Sequence, residues 1–167
     1  RVRSEALTHK GMKRDGNEDS FGVSVEENLF MVADGMGGHN SGEIASKIAV
    51  ETVANFFRAT SMDDELTWPY RLDRKLNMAQ NRVLTALRLA NTRIFEISHR
   101  NNEYQGMGTT ACCMYIENDT VYIGHVGDSR VYLQRNGEFR QVTEDHSLLN
   151  QTLKIQKLTD DQIKNFK

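Results

Sequence analysis

Apolar and polar positions first alternate at Phe21, Val23 and Val25, the period of a half-buried strand. Glu26-Glu27-Asn28 predicts a turn. Leu29-Phe30-Met31-Val32-Ala33 is a short continuous apolar run, as expected of a strand covered on both faces. It stops abruptly at Asp34-Gly35-Met36-Gly37-Gly38-His39-Asn40. The period then changes. Ile44, Ala45, Ile48, Ala49, Val53 and Phe56 share one helical face. Asn40 and Glu43 stand ahead of them at the spacing of a capping box, so a helix is predicted over about 41–58. Residues 61–69, with Asp63-Asp64-Glu65 and the sole proline, Pro69, read as a loop. A second helix is predicted over about 70–99 from Leu72, Leu76, Val83, Leu87, Ala90, Ile94 and Ile97, with no Gly or Pro until Gly106.

Beyond Gly106 the pattern is again that of strands, over 109–116, 120–126, 131–135 and 139–142. Asn118-Asp119 and Gly127-Asp128 separate the first three. Asn136-Gly137 is the pair expected in a two-residue hairpin. Val2 to Thr8 is a further strand candidate. The tail from His146 to Lys167 predicts two short helices, the second with Thr159 and Gln162 at capping distance. Strands, two long helices and then a meander argue for an α+β fold with antiparallel pairing, not for alternating βαβ units.

Composition narrows this picture. A chain of 167 residues fits one domain, and 38% hydrophobic residues support a packed core. Lys+Arg is 21 and Asp+Glu is 23, a net charge of −2 that argues against nucleic acid or anionic membrane as the main partner. No apolar run approaches the length of a membrane span. Cys112 and Cys113 are adjacent, and neighbours in a strand point to opposite faces, so an internal disulfide is not expected. Together with the absence of zinc-ligand spacing, this favours a reducing, cytoplasmic setting.

Three clusters could carry chemistry. Asp34 ends a buried strand, where packing from behind would hold its carboxylate rigid for a cation. The glycines beside it let backbone carbonyls turn inward as further oxygen ligands. The plain alternative is a Gly-rich turn before a helix. Glu18 and Asp19 could ligate a metal or its waters, and Arg14 could clamp a phosphate, or all three could line a solvated turn. Asp128, in Gly127-Asp128-Ser129-Arg130, could serve a cation or simply cap its own turn. His39 lies beside the Gly-rich loop and could donate a proton.

Arg14-Asp15-Gly16-Asn17-Glu18-Asp19-Ser20, Val32-Ala33-Asp34-Gly35-Met36-Gly37-Gly38-His39, Gly108-Thr109-Thr110 and Gly127-Asp128-Ser129-Arg130 occur in that order, followed by Asp145-His146-Ser147. Together they resemble the metal-dependent protein phosphatase family, the PPM or type-2C class, in its bacterial form. The resemblance implies an α-β-β-α sandwich, two antiparallel sheets flanked by antiparallel helix pairs. It implies one phosphatase-like catalytic domain over 1–167, incomplete at its C-terminal end, with 143–167 as a mobile flap next to the active site. The implied activity is hydrolysis of phosphoserine and phosphothreonine in proteins by a metal-bridging water or hydroxide. The implied cofactors are two Mn²⁺ or Mg²⁺ ions, with a possible third. The implied partners are phosphorylated substrates of Ser/Thr kinases.

Carried over by position, Asp34 would bridge both ions and the Gly35 carbonyl would bind the second. Glu18 or Asp19 would support that second ion, Arg14 would hold the substrate phosphate, and Asp128 would match the third, looser metal site. Many members have a histidine directly after the Asp-Gly pair as the proposed general acid. Here that position is Met36, so the role falls to His39, to water or to nothing. The family's two later aspartates, in a Ser-Asp-Gly turn and an Asp-Asn pair, have no counterpart here, and Asp160-Asp161 is a poor substitute. The expectation is a chain that stops before the last strands of the sandwich and offers Asp34 alone to the first metal. Two other functions stay open: a catalytically inactive module that keeps the fold for regulation or binding, and a phosphatase for small phosphate esters.

Overall fold

The computed structural model describes residues 2–38, 41–62 and 67–146. Strands β1 (Asp19–Ser24) and β2 (Leu29–Met36) form a hairpin. Helices α1 (Ser41–Met62) and α2 (Met78–Arg100) follow. Then come β3 (Gly108–Thr109), β4 (Ala111–Glu117), β5 (Thr120–Val126), β6 (Tyr132–Arg135) and β7 (Glu138–Gln141). One antiparallel sheet has the order β1-β2-β4-β5, with β3 paired to the end of β2, and β6-β7 form a separate two-stranded sheet.

Strand β2 explains the layering. Leu29, Met31 and Ala33 are buried, while Val32 and Asp34 on the opposite face are exposed. The period-2 alternation thus sends the apolar row toward the helices. The continuous apolar run is therefore not covered on both faces: Val32 is 49% exposed. Helices α1 and α2 pack on each other and on the inner face, where Val53, Phe57, Val83, Ala86 and Cys113 form the core. Arg82 closes this layer. Its guanidinium lies 4.5 Å from the Phe57 ring centroid and donates to the Phe57 carbonyl at 2.6 Å and to Thr60 Oγ1 at 2.8 Å.

The turns follow the expected chemistry. Asn136 (φ 53°) and Gly137 (φ 82°) link β6 to β7, with Arg135 paired to Glu138, as a tight hairpin requires. Three expectations need correction. The second helix begins at Met78, not near residue 70, because Asn77 caps it and the buried Asn81 side chain holds the preceding loop. Asn81 Nδ2 donates to the carbonyls of Asp73, Leu76 and Asn77 at 3.0–3.1 Å, and its Oδ1 accepts from the Asp73 amide at 2.8 Å. The first helix runs four residues further, to Met62. Val2 to Thr8 is not a strand; Leu7 is 94% exposed, so no burial rewards pairing. Asn40 as a cap, the paired helices after His146 and the Thr159 cap lie outside the described residues.

Candidate active site

The β1-β2 register sets the site. Asp19 pairs directly with Asp34, so the two side chains share the sheet face opposite the helices. Two carboxylates side by side resist ionising together, and the Asp34 carboxyl accordingly titrates above its usual range. Partial burial is the largest cause, followed by the Asp19 charge; Arg14 pulls the other way, and Asp128 adds a smaller upward push. Asp34 thus senses Asp19, Arg14 and Asp128, which come from two other sequence motifs. A cavity of about 220 Å³ opens here, with Asp19, Asp34, Ser129 and Thr8 among its walls. The larger cavity, about 670 Å³ between α2 and β5, contains none of these carboxylates. The smaller cavity is the candidate site because the Asp19–Asp34 pair lines it.

Close backbone approach explains the glycines. A Cβ on Gly35 would stand 2.0 Å from the Gly42 carbonyl oxygen and 2.7 Å from that of Glu18, so only glycine lets β2 pass under the start of α1. Ser46, fully buried on α1, ties the same crossing: it donates to the Glu18 carbonyl at 2.6 Å and shares a hydrogen bond with Ser20 Oγ at 2.9 Å. Glu18 and Asp19 part company here. Asp19 stands beside Asp34, whereas Glu18 Oε1 lies where a Cβ on Gly42 would be, against the first turn of α1, a favourable place for a negative charge. His39 lies outside the described residues.

Sequence reasoning assigned no role to Thr109 and Thr110, nor to the ends of the Gly127-Asp128 turn. Thr110 N–H and Thr109 Oγ1 both donate to the Asp34 carbonyl, at 2.9 and 3.0 Å. Arg130 forks onto Asp145, with Nε to Oδ1 at 2.9 Å and Nη2 to Oδ2 at 2.7 Å. Asp145 titrates below its usual range, chiefly because of that hydrogen bond. The Gly-Thr-Thr and Asp-His-Ser motifs were the available signals, but a motif does not say what its hydroxyls touch.

The donors gathered here are hard oxygen atoms, the paired Asp34 and Asp19 carboxylates with backbone carbonyls nearby. This set suits Mg²⁺ or Mn²⁺ better than Zn²⁺, and a cation would relieve the crowding that raises Asp34. Among the described residues, however, no three His, Cys, Asp or Glu side chains come together as a complete ligand set.

A helix-backed antiparallel sheet carrying a cross-strand carboxylate pair defines an α+β scaffold with an acidic face. The Protein phosphatase 2C family model matches residues 9–165, and the chain belongs to that family. Protein phosphatase PhpP of Streptococcus pneumoniae is 33% identical over 159 residues, covering 93% of this chain and 60% of PhpP. The solved serine/threonine phosphatase Stp1 from Staphylococcus aureus superposes with a TM-score of 0.73 at 31% identity, covering 93% of this chain and 58% of Stp1. The catalytic domain of serine/threonine protein phosphatase PstP, in complex with two manganese ions, superposes with a TM-score of 0.70 at 28% identity, covering 92% of this chain and 60% of PstP. The chain spans about 60% of the length of the curated relatives it matches.

Proposed function

We propose that this chain supplies the phosphate- and metal-binding half of a serine/threonine protein phosphatase. The observation that carries the reading is the Asp19–Asp34 carboxylate pair, with Arg14 and Asp128 within electrostatic reach. The names of PhpP, Stp1 and PstP, and the two manganese ions of PstP, support it. In this reading Asp34 and Asp19, with the Gly35 carbonyl, hold a divalent cation of the Mn²⁺ or Mg²⁺ kind, and Asp128 stands beside a looser one. Such ions supply charge neutralisation and an activated water for hydrolysis of a phosphate monoester. The chain's own residues do the rest. Arg14 presents a planar fork to the phosphate dianion. The strand pairing fixes the carboxylates, and Gly35 lets the helix close behind them. No side chain need act as a covalent nucleophile, and the buried Cys112 and Cys113 are not placed to do so. The substrates of this reading are proteins phosphorylated on serine or threonine by kinases, and its setting is the cytoplasm. No helix among the described residues is long and apolar enough to cross a membrane.

The test is Mn²⁺-dependent release of phosphate from a phosphothreonine peptide, run on the chain and on its Asp34→Ala variant. Release that needs both Mn²⁺ and Asp34 supports the reading. Mn²⁺ binding with no release would instead favour a phosphatase-fold binding module, a reading to which the incomplete ligand set lends weight.

A further inference from the structure

Two acidic groups on different segments of the chain must keep a fixed separation if they are to serve neighbouring cations. Asp34 lies two residues before the end of β2, which runs on to Met36, and Asp128 lies in the turn between β5 and β6. What joins them is a hydroxyl. Thr110 Oγ1 accepts the Asp34 backbone N–H at 3.0 Å and shares a hydrogen bond with Ser129 Oγ at 2.6 Å. The Thr110 N–H returns to the Asp34 carbonyl at 2.9 Å, so one residue grips both sides of the Asp34 peptide. On the other side the turn is held against the same residue. Gly127 has φ +98°, and a Cβ there would stand 2.7 Å from Thr110 Cγ2. Only glycine combines that backbone angle with that approach. Further bonds keep the turn from drifting: Cys112 Sγ donates to the Ser129 carbonyl at 3.0 Å, and the His146 N–H donates to the Gly127 carbonyl at 2.9 Å.

Resting on the phosphatase reading above, we propose that Thr110 is a positioning residue whose hydroxyl couples the Asp34 strand end to the Asp128 turn and so sets the spacing of the two carboxylates. Its Oγ1 is the point where two otherwise separate backbone segments are bonded to one atom. Valine at this position keeps the shape and both branches but loses the oxygen, and the Asp34 N–H and Ser129 Oγ lose their common partner. Serine keeps the oxygen and loses only the methyl.

The test compares the whole chain with Thr110→Val, Thr110→Ser and Ser129→Ala. Mn²⁺ affinity is read by calorimetry, and exchange of the Asp34 amide proton is read by NMR without metal. Outer residues that orient a metal's ligands typically carry ~10–100-fold in affinity. Thr110→Val should therefore weaken Mn²⁺ binding about 10-fold or more, with Thr110→Ser close to the parent and Ser129→Ala between them. The Asp34 amide should exchange faster in Thr110→Val and stay protected in Thr110→Ser. Equal Mn²⁺ affinity in Thr110→Val and the parent would overturn the proposal. Equal weakening in the valine and serine variants would do the same, since the methyl and not the hydroxyl would then matter. A parent chain that binds no Mn²⁺ would count against the phosphatase reading; the coupling would then be judged by the metal-free amide exchange, where an unchanged Asp34 rate in Thr110→Val overturns it.

Discussion

At the scale of single residues, Asp34 carries the greatest consequence. Its carboxylate is the shared anchor of the proposed cation site, so Asp34→Ala should abolish measurable Mn²⁺ binding, and calorimetry showing unchanged affinity would remove it from the site. Arg14 has a different signature. A fork that binds phosphate in the ground state as well as the transition state affects KM first, so Arg14→Ala should raise KM several-fold with a smaller change in kcat, as steady-state kinetics on a phosphopeptide would show. The pair Arg130–Asp145 gives a prediction in pH. The folded Asp145 carboxyl titrates below the ordinary 3.8 because Arg130 bonds its ionised form. Its contribution to stability is therefore complete above about pH 4 and is lost as the pH falls through the lower folded value. Thermal melts of the parent and Asp145→Asn should differ at pH 6 and converge on acidification below pH 4. A gap that persisted at pH 2 would assign the difference to packing instead.

At the scale of elements, the start of α2 is set by side chains and not by apolar periodicity. Asn81 makes four hydrogen bonds to the loop and cap backbone from a buried position. Asn81→Ala should cost about 1–3 kcal/mol in denaturant unfolding, because the Asp73 N–H loses its acceptor and the carbonyls of Asp73, Leu76 and Asn77 each lose a donor. Asn81→Asp should do no better, since a carboxylate cannot donate to those carbonyls. The same residue marks the limit of what the sequence could tell. The alternation in β1, the stripe on α1 and the Asn136-Gly137 hairpin are local signals, and each was legible; β2 was legible as a strand, but its one-sided burial was not, because Val32 is apolar on the open face. Leu72 and Leu76 continued the helical period into a loop: the loop pinned by Asn81 half-buries Leu76 without being helical, and Leu72, 39% exposed, matches the period without being buried. The site divides in the same way. Asp34, Asp19, Arg14 and Asp128 were legible as motif residues. Which of Glu18 and Asp19 faces Asp34 depends on register, and the Thr110–Ser129 bond joins residues nineteen apart, so neither could be read without the fold.

At the scale of the whole molecule, the helices cover one face of the main sheet and leave the other largely open. Phe21, Val23, Val32 and Val121 are each 43–49% exposed, and β5 presents an unpaired edge among the described strands. Contiguous apolar surface of this kind promotes association. The chain should bind the dye ANS and show concentration-dependent sedimentation, and a monodisperse, dye-silent monomer would mean that this face is covered in solution. In the proposed reading, hydrolysis by the 167-residue chain should in turn be weak, because Asp34 and Asp19 would hold a cation with few anionic ligands. A Mn²⁺ titration giving turnover equal to that of full-length PhpP would mean that further ligands complete the site.

The adjacent cysteines divide these two faces between them. Cys113 points into the core beneath the helices, where burial and then its neighbour push its thiol up to about 12. Cys112 looks the other way, held at the Ser129 carbonyl of the turn beside the carboxylates. The chain thus contains a reporter with two channels. Alkylation of Cys112 follows the opening of the turn, while alkylation of Cys113 requires the helical layer to lift from the sheet. Mass spectrometry of a timed iodoacetamide reaction would read local breathing at the site and global unfolding from neighbouring atoms in a single peptide.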